Sequence, residues 1–142
     1  MDDAGMPASS DDILGRARGL IEKLNKIGIP TASICVDPIV QPISTHSNKG
    51  VMVLDAVRAI KAEFPEVHIT GGLSNISYGL PQRKIINRTF VSLMMVAGMD
   101  SAIIDPLDKK IMAAIRTGDM LLGHDDYCMN YLKGVRSGAI ES

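Results

Sequence analysis

Three polar side chains in this sequence follow short apolar runs, at positions where they could bind one ligand together. Asp37 and Asp105 each end such a run and precede a proline, and Asn75 follows the Gly71-Gly72 pair that ends another run. In a parallel α/β protein the carboxyl ends of neighbouring strands open onto one crevice, so these side chains are expected to converge. A carboxylate accepts hydrogen bonds, and a carboxamide donates them without titrating. The pattern therefore predicts a binding site.

A simpler interpretation exists for each of these residues. An aspartate before a proline often binds backbone N–H groups of a local turn, and both Asp37 and Asp105 fit that pattern. Ser74-Asn75 also fits an N-terminal turn motif. The long polar loop that follows Asn75 favours ligand contact there, because binding residues concentrate on loops.

Composition and charge narrow the class of protein. The chain has 142 residues, of which 46% are hydrophobic and 22% are charged, as expected of one globular domain. Its formal charge of -1 excludes an electrostatic footprint for nucleic acid or an anionic membrane. Two cysteines, Cys35 and Cys128, are too few for a disulfide framework, which favours a reduced, cytoplasmic setting. No segment reads as an export signal or a membrane span.

Hydrophobic periodicity predicts helices and strands in alternation. The first helix is marked by a capping pattern at Ser9 and a stop at Gly28. The first predicted elements are a helix over 9–27, a strand over 33–36 buried on both faces, a loop over 41–50 and a helix with the apolar face Val53, Val57, Ile60 and Phe64. A strand over 67–70 follows, and then a helix that Pro81 opens and Gly98 closes, with the apolar stripe Ile86, Phe90, Leu93, Met94 and Ala97. The last elements are a strand over 101–104, a helix with the apolar face Ile111, Ala114, Ile115 and Leu122, and a helix over about 124–136 docked through Tyr127 and Tyr131.

This order has the rhythm of a parallel sheet with right-handed crossovers, so the fold class is α/β. Residues 1–7 read as the end of a further strand and its exit loop. No linker or change of composition divides the chain, so residues 1–142 are interpreted as one segment.

Other candidates for chemistry are weaker. His68 lies at the start of its strand, the end of a barrel associated with stability, and is interpreted as structural. His46 and His124 lack metal-like spacing, so no metal site is predicted. The glycines near Asn75 match neither the dinucleotide nor the phosphate-loop pattern. The basic residues at the start of the following helix are left without a role; they are Arg83, Lys84 and Arg88.

Three segments carry a family resemblance. They are residues 71–90 with the motif Gly-Leu-Ser-Asn, residues 102–105 with Ala-Ile-Ile-Asp, and residues 126–128 with Asp-Tyr-Cys. Together they resemble the methyltetrahydrofolate:corrinoid methyltransferases, which are grouped with cobalamin-dependent methionine synthase and dihydropteroate synthase among the pterin-binding barrels. Family members are eight-stranded βα barrels of about 250 residues or more. The resemblance implies a partial TIM barrel, the C-terminal half of a (β/α)8 pterin-binding barrel with strands six to eight, and makes Met1 an internal methionine.

The resemblance also implies a site and a reaction. Asp37 matches the aspartate that ends strand six, and Asn75 matches the asparagine after strand seven; Gly72, Ser74 and Asp105 complete the expected pterin-binding set. The implied reaction moves the methyl group of 5-methyltetrahydrofolate to Co(I) of a separate corrinoid protein, with Asn75 as the catalytic hydrogen-bond donor and Asp37 as the pterin anchor. The family's other pterin-binding carboxylate and amide lie on strands three and four, outside this sequence.

Two alternatives stay open. A dihydropteroate synthase relative is disfavoured, because Asp105-Pro106 stands where a basic cluster would be expected. The other alternative is an inactive half-barrel or association module that pairs with a missing N-terminal half or with a second copy. Three strands cannot close a barrel, so such a chain would leave sheet edges and inward faces exposed.

Overall fold

The computed structural model describes residues 5–140, and within them the chain is mixed α/β with more helix than sheet. This confirms the predicted α/β class, while the half-barrel stays a prediction. Residues 1–4 of the predicted exit loop lie outside the described residues. The helices are α1 Ser10–Lys26, α2 Lys49–Glu63, α3 Arg83–Ala97, α4 Lys109–Leu121 and α5 Met129–Arg136; the strands are β1 Cys35–Val36 and β2 His68–Ile69; and 3-10 helices span Thr31–Ser33, Leu73–Ser77 and Asp126–Cys128.

The sheet is parallel, as predicted, but short. β1 pairs with β2 with Cys35 opposite His68. The predicted strand over 101–104 is present only as a single parallel bridge between Gly72 and Ile103, supported by the Ile103 N–H donating to the Gly71 carbonyl at 2.9 Å. Within residues 5–140, no further strand pairs with the outer edge of either β1 or this third segment.

One face of this sheet is open. Val36 and Ile69 point into the core and are buried, whereas the alternate residues Cys35 and His68 are exposed. The prediction that the first strand is buried on both faces is therefore wrong, because helices cover only one side. We call the exposed side, defined by Cys35, His68 and Ile103, the open face; Ile103 is 68% exposed.

Helix α1 begins and ends within one residue of its predicted bounds. The Ser9 hydroxyl accepts the Asp12 N–H at 3.1 Å, which satisfies one free N–H group of the first turn, and the Asp12 carboxylate accepts the N–H of Ala8, the residue before the N-cap, at 3.0 Å. The helix buries Ile13, Ala17 and Ile21 against α2. Helix α2 begins at Lys49, inside the predicted loop, and its predicted apolar face is buried apart from the half-buried Phe64.

Helix α3 corrects two details of its prediction. It begins at Arg83 after Gln82 in the left-handed region (φ 53°), so Pro81 precedes the helix and does not open it. Leu93 is 46% exposed, and Val91 is buried instead. Helix α3 packs against both α2 and α4, and these contacts bury a face of the helix that includes Val91 and not Leu93. The predicted stop is confirmed, since Gly98 caps the helix with φ 109°.

The C-terminal helices differ most from the prediction. Leu122 lies beyond the last turn of α4 and is exposed, and Tyr127 is 93% exposed, so neither anchors its helix as predicted. A 3-10 turn with Tyr127 at φ 53° separates α5 from the preceding loop and points that ring outward. The buried Asp125 carboxylate accepts the N–H groups of Asn130 and Tyr131 at 2.9 and 2.8 Å and so caps α5.

Among the described helices, none has the length and apolarity needed to cross a bilayer.

An ion pair joins α3 to α4. Arg88 donates to both carboxylate oxygens of Asp108 at 2.9 and 3.1 Å, and Asp108 also accepts the Lys110 and Ile111 N–H groups as the N-cap of α4. The hydrogen bond from Arg88, and then those from the backbone, hold the pKa of Asp108 below its ordinary value of 3.8.

Gly98→Ala should destabilise the protein by about 1–3 kcal/mol, because an L-residue is strained at this positive φ and the new Cβ would lie 2.9 Å from Lys61 Cγ. Urea unfolding measures the change. The matched control is Gly15→Ala in the exposed interior of α1, where nothing lies within 4 Å; that variant should be about 0.5–1 kcal/mol more stable than wild type. Equal effects of the two substitutions would contradict the assignment of Gly98 as a strained cap.

Asp108→Asn should lower the free energy of unfolding at neutral pH, and this difference from wild type should disappear in acid. A carboxyl group with a depressed folded pKa stabilises fully above its unfolded pKa and loses its contribution as pH falls through the folded pKa. Asparagine keeps the cap but removes the charge. Unfolding free energies from pH 7 to about pH 2 should converge for wild type and variant. The control Asp55→Asn removes an exposed pair with Arg58 and should change little; a difference for Asp108→Asn that persists in acid would contradict the ion-pair account.

Candidate functional site

The Gly71-Gly72 pair after β2 lies beside two of the predicted site residues. A Cβ atom built on Gly71 would lie 3.4 Å from Asp37 Oδ1, and one built on Gly72 would lie 3.2 Å from Asn75 Nδ2. The Asp37 carboxylate and the Asn75 carboxamide thus rest against two consecutive residues. A side chain would fit beside Asp37 at Gly71, whereas at Gly72 it would crowd the Asn75 amide, so the glycine at position 72 lets that amide approach the backbone closely.

Asp37 forms a turn and keeps acceptor capacity. Its Oδ1 accepts the Ile39 N–H at 2.8 Å, so the simpler turn interpretation is correct for that oxygen. Its Oδ2 has no hydrogen bond within residues 5–140, and the residue is exposed. Ile39 adopts φ 59°, which is an outlier for a β-branched residue. Such strain concentrates at binding sites, and no sequence signal marked Ile39.

Asn75 lies in the middle of the 3-10 helix Leu73–Ser77. Its backbone N–H donates to the Gly72 carbonyl at 3.2 Å, and its own carbonyl accepts the Tyr78 N–H at 3.1 Å. The side chain is exposed, and its amide forms no hydrogen bond in the part of the chain that the structure describes. The backbone is therefore fixed while the carboxamide stays available to a ligand.

Asp105 lies at the same end of the sheet but makes a local contact. Ile103 pairs with Gly72, and Asp105 lies two residues after that bridge. Asn75 follows the same bridge on the other segment, so both residues lie past the carboxyl ends of the paired segments. Its Oδ1 accepts the Leu107 N–H at 2.9 Å, as the turn interpretation expects, and no described contact joins it to Asp37 or Asn75. Ser74 contributes its carbonyl to hydrogen bonds, while its hydroxyl has none within residues 5–140.

His68 lies toward the opposite end of the sheet and has structural contacts. Its Nδ1 is 3.0 Å from Asp100 Oδ2, and the other oxygen of Asp100 accepts the Ile69 N–H. Lys61 Nζ lies 3.7 Å from the same carboxylate. These contacts fit the predicted structural role. Among residues 5–140, no three histidine, cysteine or acidic side chains are placed to hold a metal ion.

Cavities elsewhere in the chain are not part of this arrangement. A groove of about 900 Å³ lies between α3, α4 and α5, and its lining includes Val96, Leu121 and Val135 but neither Asp37 nor Asn75. Since Asp37 and Asn75 are both exposed, the candidate site is an open surface of this chain.

Comparison with known proteins agrees with the resemblance seen in the sequence. The chain is 38% identical over 139 residues to the methylcorrinoid:tetrahydrofolate methyltransferase of Eubacterium limosum, a match that covers 98% of this chain and 51% of that protein. It is 36% identical over 83 residues to the methionine synthases of Mycobacterium tuberculosis and Mycobacterium leprae, covering 54% of this chain and 7% of each of those proteins. No protein-family model matches the chain. The chain is thus similar to named methyltransferases and spans about half the length of the one from Eubacterium limosum.

Proposed function

We propose that this chain forms the C-terminal half of a (β/α)8 barrel and supplies the Asp37 and Asn75 side of a pterin site for methyl transfer between 5-methyltetrahydrofolate and a corrinoid protein. The observation that carries the proposal is that the two polar groups lie beside consecutive residues at the end of β2, Asp37 beside Gly71 and Asn75 beside Gly72. The similarity to a methylcorrinoid:tetrahydrofolate methyltransferase along nearly the whole chain supports it. We assign the activity to the cytoplasm; both cysteines, Cys35 and Cys128, are free thiols.

Asp37 would anchor the pterin. The pyrimidinone edge of a pterin presents adjacent N–H donors, and a carboxylate accepts them in parallel hydrogen bonds worth about 1.5–3 kcal/mol each. Asp37 Oδ2 has no hydrogen bond within residues 5–140, and Oδ1 keeps a lone pair after accepting the Ile39 N–H. Gly72, which has no side chain of its own, would let the flat ring lie close to the backbone beside Asn75.

Asn75 would polarise the reacting nitrogen. The methyl group is bound to a tertiary nitrogen, which leaves poorly unless a donor stabilises the electron density that gathers on it as the bond breaks. A neutral carboxamide donates at every pH at which the protein is folded. The Eubacterium limosum relative is named for transfer from methylcorrinoid to tetrahydrofolate, which is the reverse of the direction implied by the sequence motifs. The same donor serves both directions, because both pass through one transition state.

Ser74 and Asp105 would complete the pterin contacts from the rim. The Ser74 hydroxyl and Asp105 Oδ2 have no hydrogen bond within residues 5–140. Their contribution is expected to be smaller than that of Asp37, since neither lies against the glycine pair. The corrinoid partner would bring its cobalt to the methyl group, so the chain's own residues position and polarise the pterin.

A second candidate function is association with a complementary half-barrel through the open face. The specific observation is that Cys35, His68 and the 68% exposed Ile103 occupy the uncovered side of a sheet with two open edges within residues 5–140. Exposed edges and apolar strand faces are templates for pairing. Association and catalysis are compatible, because the remaining pterin contacts of the family would come from the partner half.

Asn75→Ala should lower the methyl-transfer rate roughly 100- to 1,000-fold, the scale for removing one donor that stabilises a transition state. The chain is assayed together with the half of the Eubacterium limosum methyltransferase that it does not cover, with free cobalamin as the methyl carrier. Asn48→Ala is the matched control, since Asn48 is exposed and its side chain makes no capping bond at α2. A near-wild-type rate for Asn75→Ala in an active complex would rule out the role.

Covering the open face should protect Cys35 from thiol reagents. In a Cys128→Ser variant, the rate of maleimide labelling reports on Cys35 alone, and sedimentation measures the mass. We expect a species larger than the monomer, in which Cys35 reacts at least about tenfold more slowly than in urea, because burial prevents formation of the reactive thiolate. A monomer whose Cys35 reacts as fast as in the unfolded chain would contradict association through this face.

A further inference from the structure

Arg83, which the sequence left without a role, clamps the turn that carries Asn75. Its Nε donates to the Ser77 hydroxyl at 3.0 Å, and its Nη2 donates to the Ser74 carbonyl at 2.7 Å. The two nitrogens belong to one planar guanidinium, so this fork fixes the separation of Ser74 and Ser77. Asn75 lies between these two anchored residues.

The Ser77 hydroxyl is the centre of the arrangement. Ser77 is completely buried, and its oxygen lies 2.7 Å from Asn87 Oδ1 and 3.2 Å from the Ser74 carbonyl. A hydroxyl has one proton, so the shorter contact identifies Asn87 as the acceptor. The Ser74 carbonyl is satisfied by Arg83. Within residues 5–140, both partners of the Ser77 hydroxyl outside its own turn come from α3, so the 3-10 helix is bound to that helix by a buried polar network.

We propose that Ser77, held by Asn87 and Arg83, is a positioning residue that fixes the Asn75 carboxamide over Gly72. The carboxamide itself has no hydrogen bond within residues 5–140, so its direction depends on the backbone that bears it. That backbone is bonded to Gly72 on one side and Tyr78 on the other. Removing the Ser77 hydroxyl leaves the Asn87 oxygen and the Arg83 Nε without this partner, and the turn keeps the hydrogen bond from Arg83 Nη2 to the Ser74 carbonyl but loses its buried connection to α3. The catalytic consequence rests on the proposed function, while the structural consequence does not.

Amide hydrogen exchange tests the structural part in the chain itself. Ser77→Ala should raise the exchange of the Asn75, Tyr78 and Leu80 amides, which close the turn, at least about tenfold relative to amides of α1 in the same sample. Ser92→Ala is the matched control, since its hydroxyl makes only a weak 3.5 Å contact with the Arg88 carbonyl within α3. Uniform acceleration along the whole chain, or unchanged exchange in the turn, would overturn the proposal.

Conservative substitutions separate this network from general loss of packing. Asn87→Asp keeps the acceptor oxygen and should preserve the protection of the turn, whereas Asn87→Ala should lose it. Arg83→Lys keeps the charge but not the fork, and should loosen the turn as Ser77→Ala does. If Asn87→Asp behaves like Asn87→Ala, hydrogen bonding to Ser77 is not what fixes the turn.

A double-mutant cycle tests the catalytic part in the reconstituted complex with the Eubacterium limosum half. Ser77→Ala should lower kcat roughly ten- to a hundredfold with little change in the KM for tetrahydrofolate, because a misplaced donor costs transition-state stabilisation. In the double variant, Ser77→Ala should lower kcat little further than Asn75→Ala does alone. Full additivity of the two losses would overturn the positioning role. If Asn75→Ala alone has no effect, the proposed function fails, and the exchange experiment still decides the structural proposal.

Discussion

The parallel pairing of three short backbone segments is the constraint on which the arrangement depends. β1 pairs with β2, and the Gly71-Gly72 segment pairs with Ile103, so the chain leaves all three segments at one edge. Since residues directly past parallel strands share that edge, Asp37 and Asn75, polar groups 38 positions apart in sequence, both lie beside the glycine pair at the end of β2. The helices that bury Val36 and Ile69 hold the pairing in register.

Two kinds of rigidity surround the site. Asp37 is held in a turn that places Ile39 at a strained positive φ, and Asn75 is carried by a 3-10 helix bound to α3 through buried Ser77. In each case the backbone is fixed, while one oxygen of Asp37 and the amide of Asn75 are left without a partner in the described residues. Preorganised groups of this kind stabilise a developing charge without the cost of reorganisation. The open face lies on the sheet whose ends carry these residues.

The sequence predicted much of this, where local chemistry decides the structure. The capping pattern at Ser9 and the stop at Gly98 gave the ends of two helices, because caps depend on a few adjacent residues. The places where the strands end could be predicted because a turn-forming residue follows each apolar run. Tyr127 and Leu93 were misjudged, because helical spacing alone does not say which neighbours a face will meet. The strand over 33–36 was predicted to be buried on both faces, but Cys35 is uncovered in this chain.

The parts of the site that sequence reasoning missed are those that depend on tertiary contacts. Arg83 and Asn87 are ordinary polar residues on a helix, and only their approach to buried Ser77 shows a role. Ile39 carries no sequence signal for its left-handed conformation, since isoleucine is seldom found there.

The most direct test of the central claim is a crystal structure of the reconstituted complex with tetrahydrofolate. The account predicts the pterin ring over Gly71-Gly72, with its pyrimidine edge bonded to Asp37 and the reacting nitrogen within hydrogen-bond distance of Asn75. A pterin bound elsewhere, or one that contacts only one of these residues, would contradict it.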